Sequence, residues 1–193
     1  MVKTYSQMLE LGSQASDFKL FDTNNNKVSL SSFNTSKGYL IMFICNHCPY
    51  VIHLQGKLAQ ICKEYKSSGI AVFAINSNDS INYPEDNLSA MKKQASKLNF
   101  TFPYLIDDSQ EVAKAYKAAC TPDFFLFDAQ KKLVYRGQMD DSRPGNDKPI
   151  NGHCLTKAVN ALLKDQEPLK EQSPSLGCNI KWRTGNEPRY FSN

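Results

Sequence analysis

The sequence predicts an α/β fold in which a central mixed sheet is flanked by helices, with an N-terminal β-hairpin and an inserted helix. Two uninterrupted apolar runs, at residues 40–44 and 70–75, are typical of strands that are covered on both faces. Helical patterns follow both runs, which indicates βαβ units with parallel strands. From Thr121 onward the pattern changes to two strands joined by a short turn, which adds an antiparallel hairpin.

The chain of 193 residues is long enough to bury a core of its own in one domain. We expect an N-terminal extension at residues 1–13 and the α/β domain at residues 14–165. Residues 166–193 form a C-terminal tail that is rich in Pro and Ser and contains the only tryptophan. We expect this tail to pack on or near the domain.

The elements are predicted in order from the spacing of apolar residues. Polar and apolar residues alternate at 17–21 and 27–30 on both sides of an Asn-rich turn, which predicts the hairpin. After strand 40–44, apolar residues at helical spacing predict a helix that ends near Lys66. The remaining predicted elements are strand 70–75, helix 85–98, strand 102–107, helix 109–118, strands 124–127 and 132–137, and helix 153–164.

A Cys-x-x-Cys pair, Cys45 and Cys48, lies where the first buried strand ends and its helix begins. The unpaired N–H groups and positive dipole end of a helix N-terminus are expected to stabilise a thiolate at Cys45. Lowering a thiol pKa of ~8.5 by roughly two units, about 2.7 kcal/mol, makes the thiolate the major form at pH 7. The motif therefore predicts thiol-disulfide exchange.

Position within the motif predicts different roles for its residues. Cys45, at the helix cap, is expected to attack, and Cys48, one turn further, to resolve the mixed disulfide. Asn46 and His47 are expected to tune the pair, and Pro49 suits the first helical turn because its missing N–H costs little there. The alternatives are a structural zinc half-site or two inert buried thiols. Zinc would need two further ligands, and no second Cys-x-x-Cys or His pair has the required spacing.

Thr121-Pro122 directly precedes the predicted hairpin. In a fold that carries Cys-x-x-Cys on a strand and helix, such an X-Pro bond can be cis and can aim the preceding residue at the thiols. Thr121 would then offer its backbone N–H and C=O to a bound peptide as an added strand.

Composition limits the classes of partner and the location. The net charge of +4 arises from Lys and Arg residues dispersed among acids, without a basic stripe, so we expect no nucleic-acid partner. The N-terminal residues lack the apolar region of a signal peptide, and no apolar run approaches the length of a membrane span. We therefore expect a cytoplasmic protein without a membrane partner.

The order of these elements resembles the thioredoxin fold, in the branch that contains peroxiredoxins and TlpA or ResA-like proteins. The likeness covers roughly residues 12 to 183 and implies a redox-active centre that forms a disulfide bond. More specifically, the chain resembles a bacterial group described as thioredoxin family proteins, or as peroxiredoxin-like proteins with an AhpC/TSA domain. The segments that carry it are residues 45–50, 76–79, 102–107, 119–125 and 174–178.

Three departures from these families bear on the activity. Peroxiredoxins resemble one another in a Thr upstream of the reactive cysteine, whereas Met42 lies there and residues 41–44 offer no hydroxyl. Thioredoxins resemble one another in a buried acid that accepts the proton of the second cysteine, and Tyr39 has the position of that acid here. The proton-accepting role would then pass to water or to His47. A His before the second cysteine is similar to protein disulfide isomerase and DsbA, which implies a less reducing potential than that of thioredoxin.

Two further cysteines are candidates for redox chemistry. Cys120 directly precedes Thr121 and should lie near the pair in this fold, where a third thiol could accept the disulfide; a small buried side chain is the alternative. Cys178 lies in the tail, which rarely buries a thiol by accident. We expect the tail to fold back so that Cys178 meets another cysteine, with Cys120 as the first candidate.

The sequence thus predicts a thiol-disulfide oxidoreductase that acts on protein or small-molecule disulfides and thiols, as a monomer or weak dimer, with an upstream thiol reductant. No organic cofactor or metal is implied. One alternative is a peroxiredoxin-like hydroperoxide reductase with an antioxidant role. Another is a copper-binding or copper-delivery module, in which His53 joins Cys45 and Cys48, although five helical positions place His53 and Cys48 on different faces.

Overall fold

The computed structural model describes residues 3–191 and confirms the predicted α/β class. The strands are β1 Lys3–Tyr5, β2 Lys19–Asp22, β3 Lys27–Ser29, β4 Gly38–Phe43, β5 Ile70–Asn76, β6 Tyr104–Ile106, β7 Cys120–Thr121, β8 Asp123–Asp128, β9 Leu133–Gly137 and β10 Leu176–Asn179. A seven-stranded mixed sheet has the order β3-β2-β6-β5-β4-β8-β9, and a smaller three-stranded sheet has the order β1-β10-β7. The helices are α1 Pro49–Ser67, α2 Leu88–Lys97, α3 Glu111–Ala115 and α4 His153–Leu163.

The centre of the sheet is formed by β4 and β5, all of whose residues are buried. These two strands run parallel, with Leu40 opposite Val72, and β5 runs parallel to β6. On its other side β4 pairs antiparallel with β8, so that Ile41 lies opposite Phe125. The mixed arrangement expected from the apolar runs and the later hairpin is therefore confirmed.

Alternating side chains of β4 belong to two separate apolar clusters, one on each face of the sheet. Leu40 and Met42 pack on the face covered by α1 and α4, together with Leu58 and Val159. Tyr39, Ile41 and Phe43 pack on the opposite face, where Trp182 of the tail also lies. The second face is thus covered by α3, by the 3₁₀ turn after β3 and by the C-terminal tail.

Two helices are shorter than predicted because polar side chains determine where they begin. Helix α2 begins at Leu88 and not at residue 85, since the Asn87 side chain accepts the Ala90 N–H at 2.9 Å as an N-cap. The preceding residues form a 3₁₀ turn, Pro84–Asp86. Helix α3 covers five residues of the predicted 109–118, with Asp107 accepting the Ala113 N–H at 2.9 Å.

The two ends of the described chain meet in the smaller sheet. Strand β10 pairs antiparallel with β1 on one side and with β7 on the other. Residues 3–5 and the tail therefore lie together beside the strand that precedes Pro122. Within residues 3–191, none of the helices has the length and apolar character needed to cross a bilayer.

Candidate functional site

The Cys-x-x-Cys lies between β4 and α1, as predicted, but its register on the helix differs. Helix α1 begins at Pro49, and its N-cap is Cys48, with φ −68° and ψ 121°. Proline favours the first helical position, and it forces the residue before it into an extended conformation, so the helix cannot include Cys48. The prediction that Cys45 lies at the helix cap is therefore wrong: Cys48 has that position.

Both sulfurs lie against Thr121 beneath the surface. Cys45 and Cys48 are 1% and 0% exposed. The Sγ of Cys45 lies 3.3 Å from the Thr121 Oγ1, and the Cys48 thiol donates to the Thr121 carbonyl oxygen at 3.1 Å. The Thr121–Pro122 peptide bond is cis. Thr121 is thus brought to the thiols, as the sequence indicated.

The two thiols differ in how easily they ionise. Hydrogen bonds from the thiols of Cys178 and Cys45, together with the Val51 N–H at the helix N-terminus, lower the pKa of Cys48, although burial opposes this. The Thr121 carbonyl oxygen favours the protonated thiol, but the donors outnumber that single acceptor. Burial, the hydrogen bond with Cys48 and the charge of Asp86 raise the pKa of Cys45. The helix-stabilised thiolate that was expected at Cys45 is therefore located at Cys48.

Asp86 is a buried carboxylate that sequence reasoning did not assign to the site. It accepts the Asn46 N–H at 2.7 Å and the Asn78 amide at 2.7 Å, and one of its oxygens lies 2.7 Å from Nδ1 of His47. The His47 ring stacks on Tyr83, with centroids 5.5 Å apart. In the sequence Asp86 resembles an acid in the first turn of a helix. Only its position after the C-terminal end of β5, where α/β folds usually have their functional loops, could have suggested this role.

The ion pair changes the charge state of both partners. The hydrogen bond to Asp86 raises the pKa of His47, against the effect of partial burial. Although desolvation acts to raise it, the hydrogen bonds from His47 and Asn78 hold the pKa of Asp86 below its ordinary value. An imidazole whose protonated form is favoured by Asp86 lies beside Cys45, because Cys45 Sγ, a His47 ring nitrogen and an Asp86 oxygen are all within 4.8 Å of one another.

Asn46 and Pro49 have positions that explain their place in the motif. Asn46 donates its side-chain amide to the Glu85 carbonyl oxygen at 2.8 Å and accepts the Tyr104 hydroxyl at 3.1 Å. It therefore ties the motif to the segment that carries Asp86. Pro49 occupies the first helical turn, as expected.

The expected pairing of Cys178 with Cys120 is wrong, and Cys178 meets Cys48 instead. In the ladder between β10 and β7, Cys178 lies opposite Thr121 and Cys120 lies opposite Asn179. Successive side chains on a strand point to opposite faces, so Cys178 shares the face of Thr121 and Cys120 does not. Cys120 is fully buried, which raises its pKa, and its thiol donates to the Pro122 carbonyl oxygen at 3.6 Å.

The copper site proposed from His53 is not assembled. The His53 Nε2 lies 2.7 Å from the Ser142 Oγ, in a hydrogen bond with the loop before α4. Among residues 3–191, two other groups have donor atoms that could hold a metal: Cys45 with His47 and Asp86, and the more exposed Asp141 with His153 and Cys154. In the first group the His47–Asp86 ion pair already uses the ligand atoms, so a metal would have to displace it.

The amino-acid sequence is similar to one protein family and to thiol-disulfide oxidoreductases. The sequence model of the AhpC/TSA family matches residues 11–136. The chain is similar to thiol-disulfide oxidoreductase ResA of Geobacillus kaustophilus, with 30% identity over 141 residues, which cover 70% of this chain and 75% of the relative. ResA of Bacillus subtilis is 28% identical over 123 residues, or 64% of each chain.

Solved structures give the same fold. A hypothetical protein from Sinorhizobium meliloti is 47% identical, with a TM-score of 0.93 over 94% of this chain and 100% of that one. An uncharacterized conserved protein from Geobacillus kaustophilus is 48% identical, with a TM-score of 0.92 over 95% and 97% of the two chains. A putative thiol:disulfide interchange protein DsbE from Chlorobium tepidum shares the fold at 22% identity, with a TM-score of 0.62 over 81% and 99%.

Proposed function

The chain belongs to the AhpC/TSA family, and from this premise we propose that it is a thiol-disulfide oxidoreductase that exchanges disulfides through Cys45 and Cys48. The observation that carries the proposal is the geometry of the two sulfurs. Both lie on Thr121, beside the cis peptide bond, and Cys48 is the N-cap of a helix whose positive dipole end favours its thiolate. Thiols and disulfides are the corresponding substrates.

The difference in pKa between the two thiols determines which cysteine the substrate attacks and which cysteine leaves. In the oxidised protein a substrate thiolate attacks Sγ of Cys45, the Cys45–Cys48 bond breaks, and Cys48 leaves as the thiolate. A leaving thiol of low pKa leaves faster, and stabilisation of the reduced form makes the disulfide a better oxidant. A second substrate thiolate then attacks the substrate sulfur, so that substrate is oxidised by two electrons and the protein is reduced. In the reverse direction Cys48 resolves a mixed disulfide on Cys45.

His47 is the proton donor that this exchange reaction requires at Cys45. Because the pKa of Cys45 is raised, its sulfur takes up a proton when it leaves the mixed disulfide. Asp86 raises the pKa of the imidazole within 4.8 Å of that sulfur, which favours the protonated ring that can supply the proton. Tyr83 and Asp86 hold the ring in place.

The test is reduction of insulin disulfides with dithiothreitol, followed by turbidity. Cys45→Ser and Cys48→Ser should both fall to the background rate of dithiothreitol alone, and Cys48→Ser should accumulate mixed disulfides on Cys45. Cys62→Ser is the matched control, because Cys62 lies buried on α1 against Met42, away from the pair. Full activity in either active-site variant would contradict the proposal.

Hydroperoxide reduction is the second activity that the family permits. Thr121 supplies a hydroxyl 3.3 Å from Cys45, which the preceding strand does not. The raised pKa of Cys45 acts against it, since the thiolate is the nucleophile toward peroxide. Peroxide consumption measured beside insulin reduction separates the two activities.

The cytoplasmic location, the monomeric or weakly dimeric state and the upstream reductant stay predictions.

A further inference from the structure

Strand β10 occupies the backbone edge of Thr121 that was expected to be open to a bound peptide. Cys178 lies opposite Thr121 in an antiparallel ladder, Asn179 lies opposite Cys120, and the Ile180 N–H donates to the Ala119 carbonyl oxygen at 3.2 Å. An exposed strand edge beside a reactive site is where an extended peptide adds as a further strand. Here a segment of the same chain already has that position.

Gly177 shows how closely this strand approaches Thr121. A Cβ at Gly177 would lie 2.0 Å from the Thr121 carbonyl oxygen and 2.6 Å from the Thr121 carbonyl carbon. Neither is the flexible end of a side chain, so any larger residue would push the two backbones apart. The contact is therefore specific to glycine at this position.

Residues beyond β10 hold the segment in place. The Lys181 N–H donates to Asn78 Oδ1 at 2.8 Å, and the Lys181 carbonyl oxygen accepts the Asp79 N–H at 2.8 Å. Trp182 is 9% exposed and packs edge-on against Tyr190. Strand β10 is consequently fixed by backbone bonds on both of its edges and by the tail that follows.

From this arrangement we propose that Cys178 is a third redox-active thiol, which β10 presents to Cys48 as a strand paired with Thr121. The inference rests on the proposed function of Cys45 and Cys48. Cys178 is buried in the same cluster as Cys48, and the two thiols share a hydrogen bond. Thr121, the ladder partner of Cys178, contacts both sulfurs of the pair. An internal thiol thus lies in contact with Cys48, the sulfur of the pair that the substrate thiolate does not attack.

The reaction is an exchange without net oxidation. In the oxidised protein the Cys178 thiolate attacks Sγ of Cys48, a Cys48–Cys178 bond forms, and the Cys45–Cys48 bond breaks. Cys45 leaves as a thiolate and takes up a proton, which balances the proton that Cys178 gave up. The disulfide thereby moves to the tail and leaves Cys45 as a thiol.

The experiment is peptide mapping of the oxidised full-length chain. The protein is treated with diamide, quenched with acid, alkylated with N-ethylmaleimide and digested with trypsin without reduction. Cys45 and Cys48 lie on the tryptic peptide 38–57 and Cys178 lies on 171–181, while Cys62, Cys120 and Cys154 lie on other peptides. In Cys45→Ser a link between 38–57 and 171–181 can arise only from Cys48 and Cys178. We expect this link as the main product of that variant and a measurable amount of it in the wild-type chain.

A pair of glycine variants tests the role of β10 without touching a cysteine. Gly177→Ala should lower the yield of the cross-link by about tenfold, because the thiol is no longer held in contact but only tethered. Gly56→Ala is the control, since a Cβ at Gly56 meets no atom within 4 Å, and its yield should equal that of the wild-type chain.

The outcomes separate the inference from the function on which it rests. If the wild-type chain forms the Cys45–Cys48 disulfide and reduces insulin but neither it nor Cys45→Ser yields the cross-link, Cys178 is not a redox thiol and the proposed function stands. An unchanged cross-link in Gly177→Ala overturns the role of β10. If no disulfide forms between Cys45 and Cys48 and insulin is not reduced, the proposed function fails.

Discussion

At the scale of single residues, Pro49 determines which cysteine carries the negative charge. Because a proline starts α1, the N-cap falls on Cys48 and not on Cys45, so the positive end of the helix dipole lies at the second cysteine of the motif. Three donors then converge on that sulfur, from Cys178, Cys45 and Val51. The charge that makes the pair reactive therefore resides on the buried, resolving cysteine.

The lowered pKa of Cys48 leads to a direct prediction. In a pH titration of the reduced protein followed by thiolate absorbance at 240 nm, one thiolate should persist well below the ordinary thiol pKa of ~8.5. Cys48→Ser should lose this signal and leave only alkaline titration, whereas Cys45→Ser should retain it and Cys62→Ser should match the wild type. Loss of the signal in Cys45→Ser but not in Cys48→Ser would reverse the assignment.

At the scale of secondary-structure elements, the hairpin of β8 and β9 contains a buried ion pair. Arg136 Nη2 lies 3.4 Å from Asp123 Oδ2, both side chains are fully buried, and the guanidinium lies over the Phe125 ring. Burial raises the pKa of Asp123 to about 7, although Arg136 acts to lower it. The pair lies on the sheet face opposite the thiols, so its role is in stability.

Replacing Arg136 by Met should destabilise the fold by roughly 3–5 kcal/mol, because it leaves a buried carboxylate without its cation. Since the folded-state pKa of Asp123 lies above its unfolded value, its protonation stabilises the fold at low pH, and this contribution is lost as the pH rises through about 7. Removing Arg136 raises that pKa further. The loss in unfolding free energy, measured with urea, should therefore be larger at pH 8 than at pH 5.

The double variant Asp123→Leu with Arg136→Met is the control for this prediction. A pair of apolar side chains removes both buried charges, so most of the stability should return and its pH dependence should disappear. An equal loss at pH 5 and pH 8 in Arg136→Met would contradict the charge argument.

At the scale of the whole molecule, the C-terminal tail covers both a core face and the redox site. Trp182 and Tyr190 pack on the apolar cluster that contains Phe43 and Phe125. The same tail carries β10 to Thr121, so the site is buried by the segment that also completes the core. We therefore expect stability and access to the thiols to be coupled.

Trp182→Ala tests this coupling. Loss of a buried Trp side chain should cost about 3–5 kcal/mol of unfolding free energy, and the loosened tail should let iodoacetamide alkylate Cys45 and Cys48 faster than in the wild-type chain. Urea unfolding and timed alkylation measure the two effects. Phe21→Ala, at a 48% exposed position on β2, should change neither appreciably. A destabilised Trp182→Ala with an unchanged alkylation rate would show that the tail does not control access.

The sequence by itself determined the fold class, the strand-to-helix position of Cys45 and Cys48, and the approach of Thr121 to them. These features depend on local signals: apolar runs, helical spacing, a short cysteine motif and an X-Pro pair. Pro49 is a local signal as well, for the start of α1. The cap was nevertheless predicted at Cys45, whereas Cys48 has that position.

Only the tertiary structure decided that Asp86 pairs with His47 and that Cys178 lies on Cys48. Asp86 lies 39 positions after His47, and Cys178 lies 130 positions after Cys48. No short-range periodicity specifies such pairs. Their contact depends on the ladder register of β10 and on the 3₁₀ turn after β5 that carries Asp86, and both bring together residues far apart in the sequence.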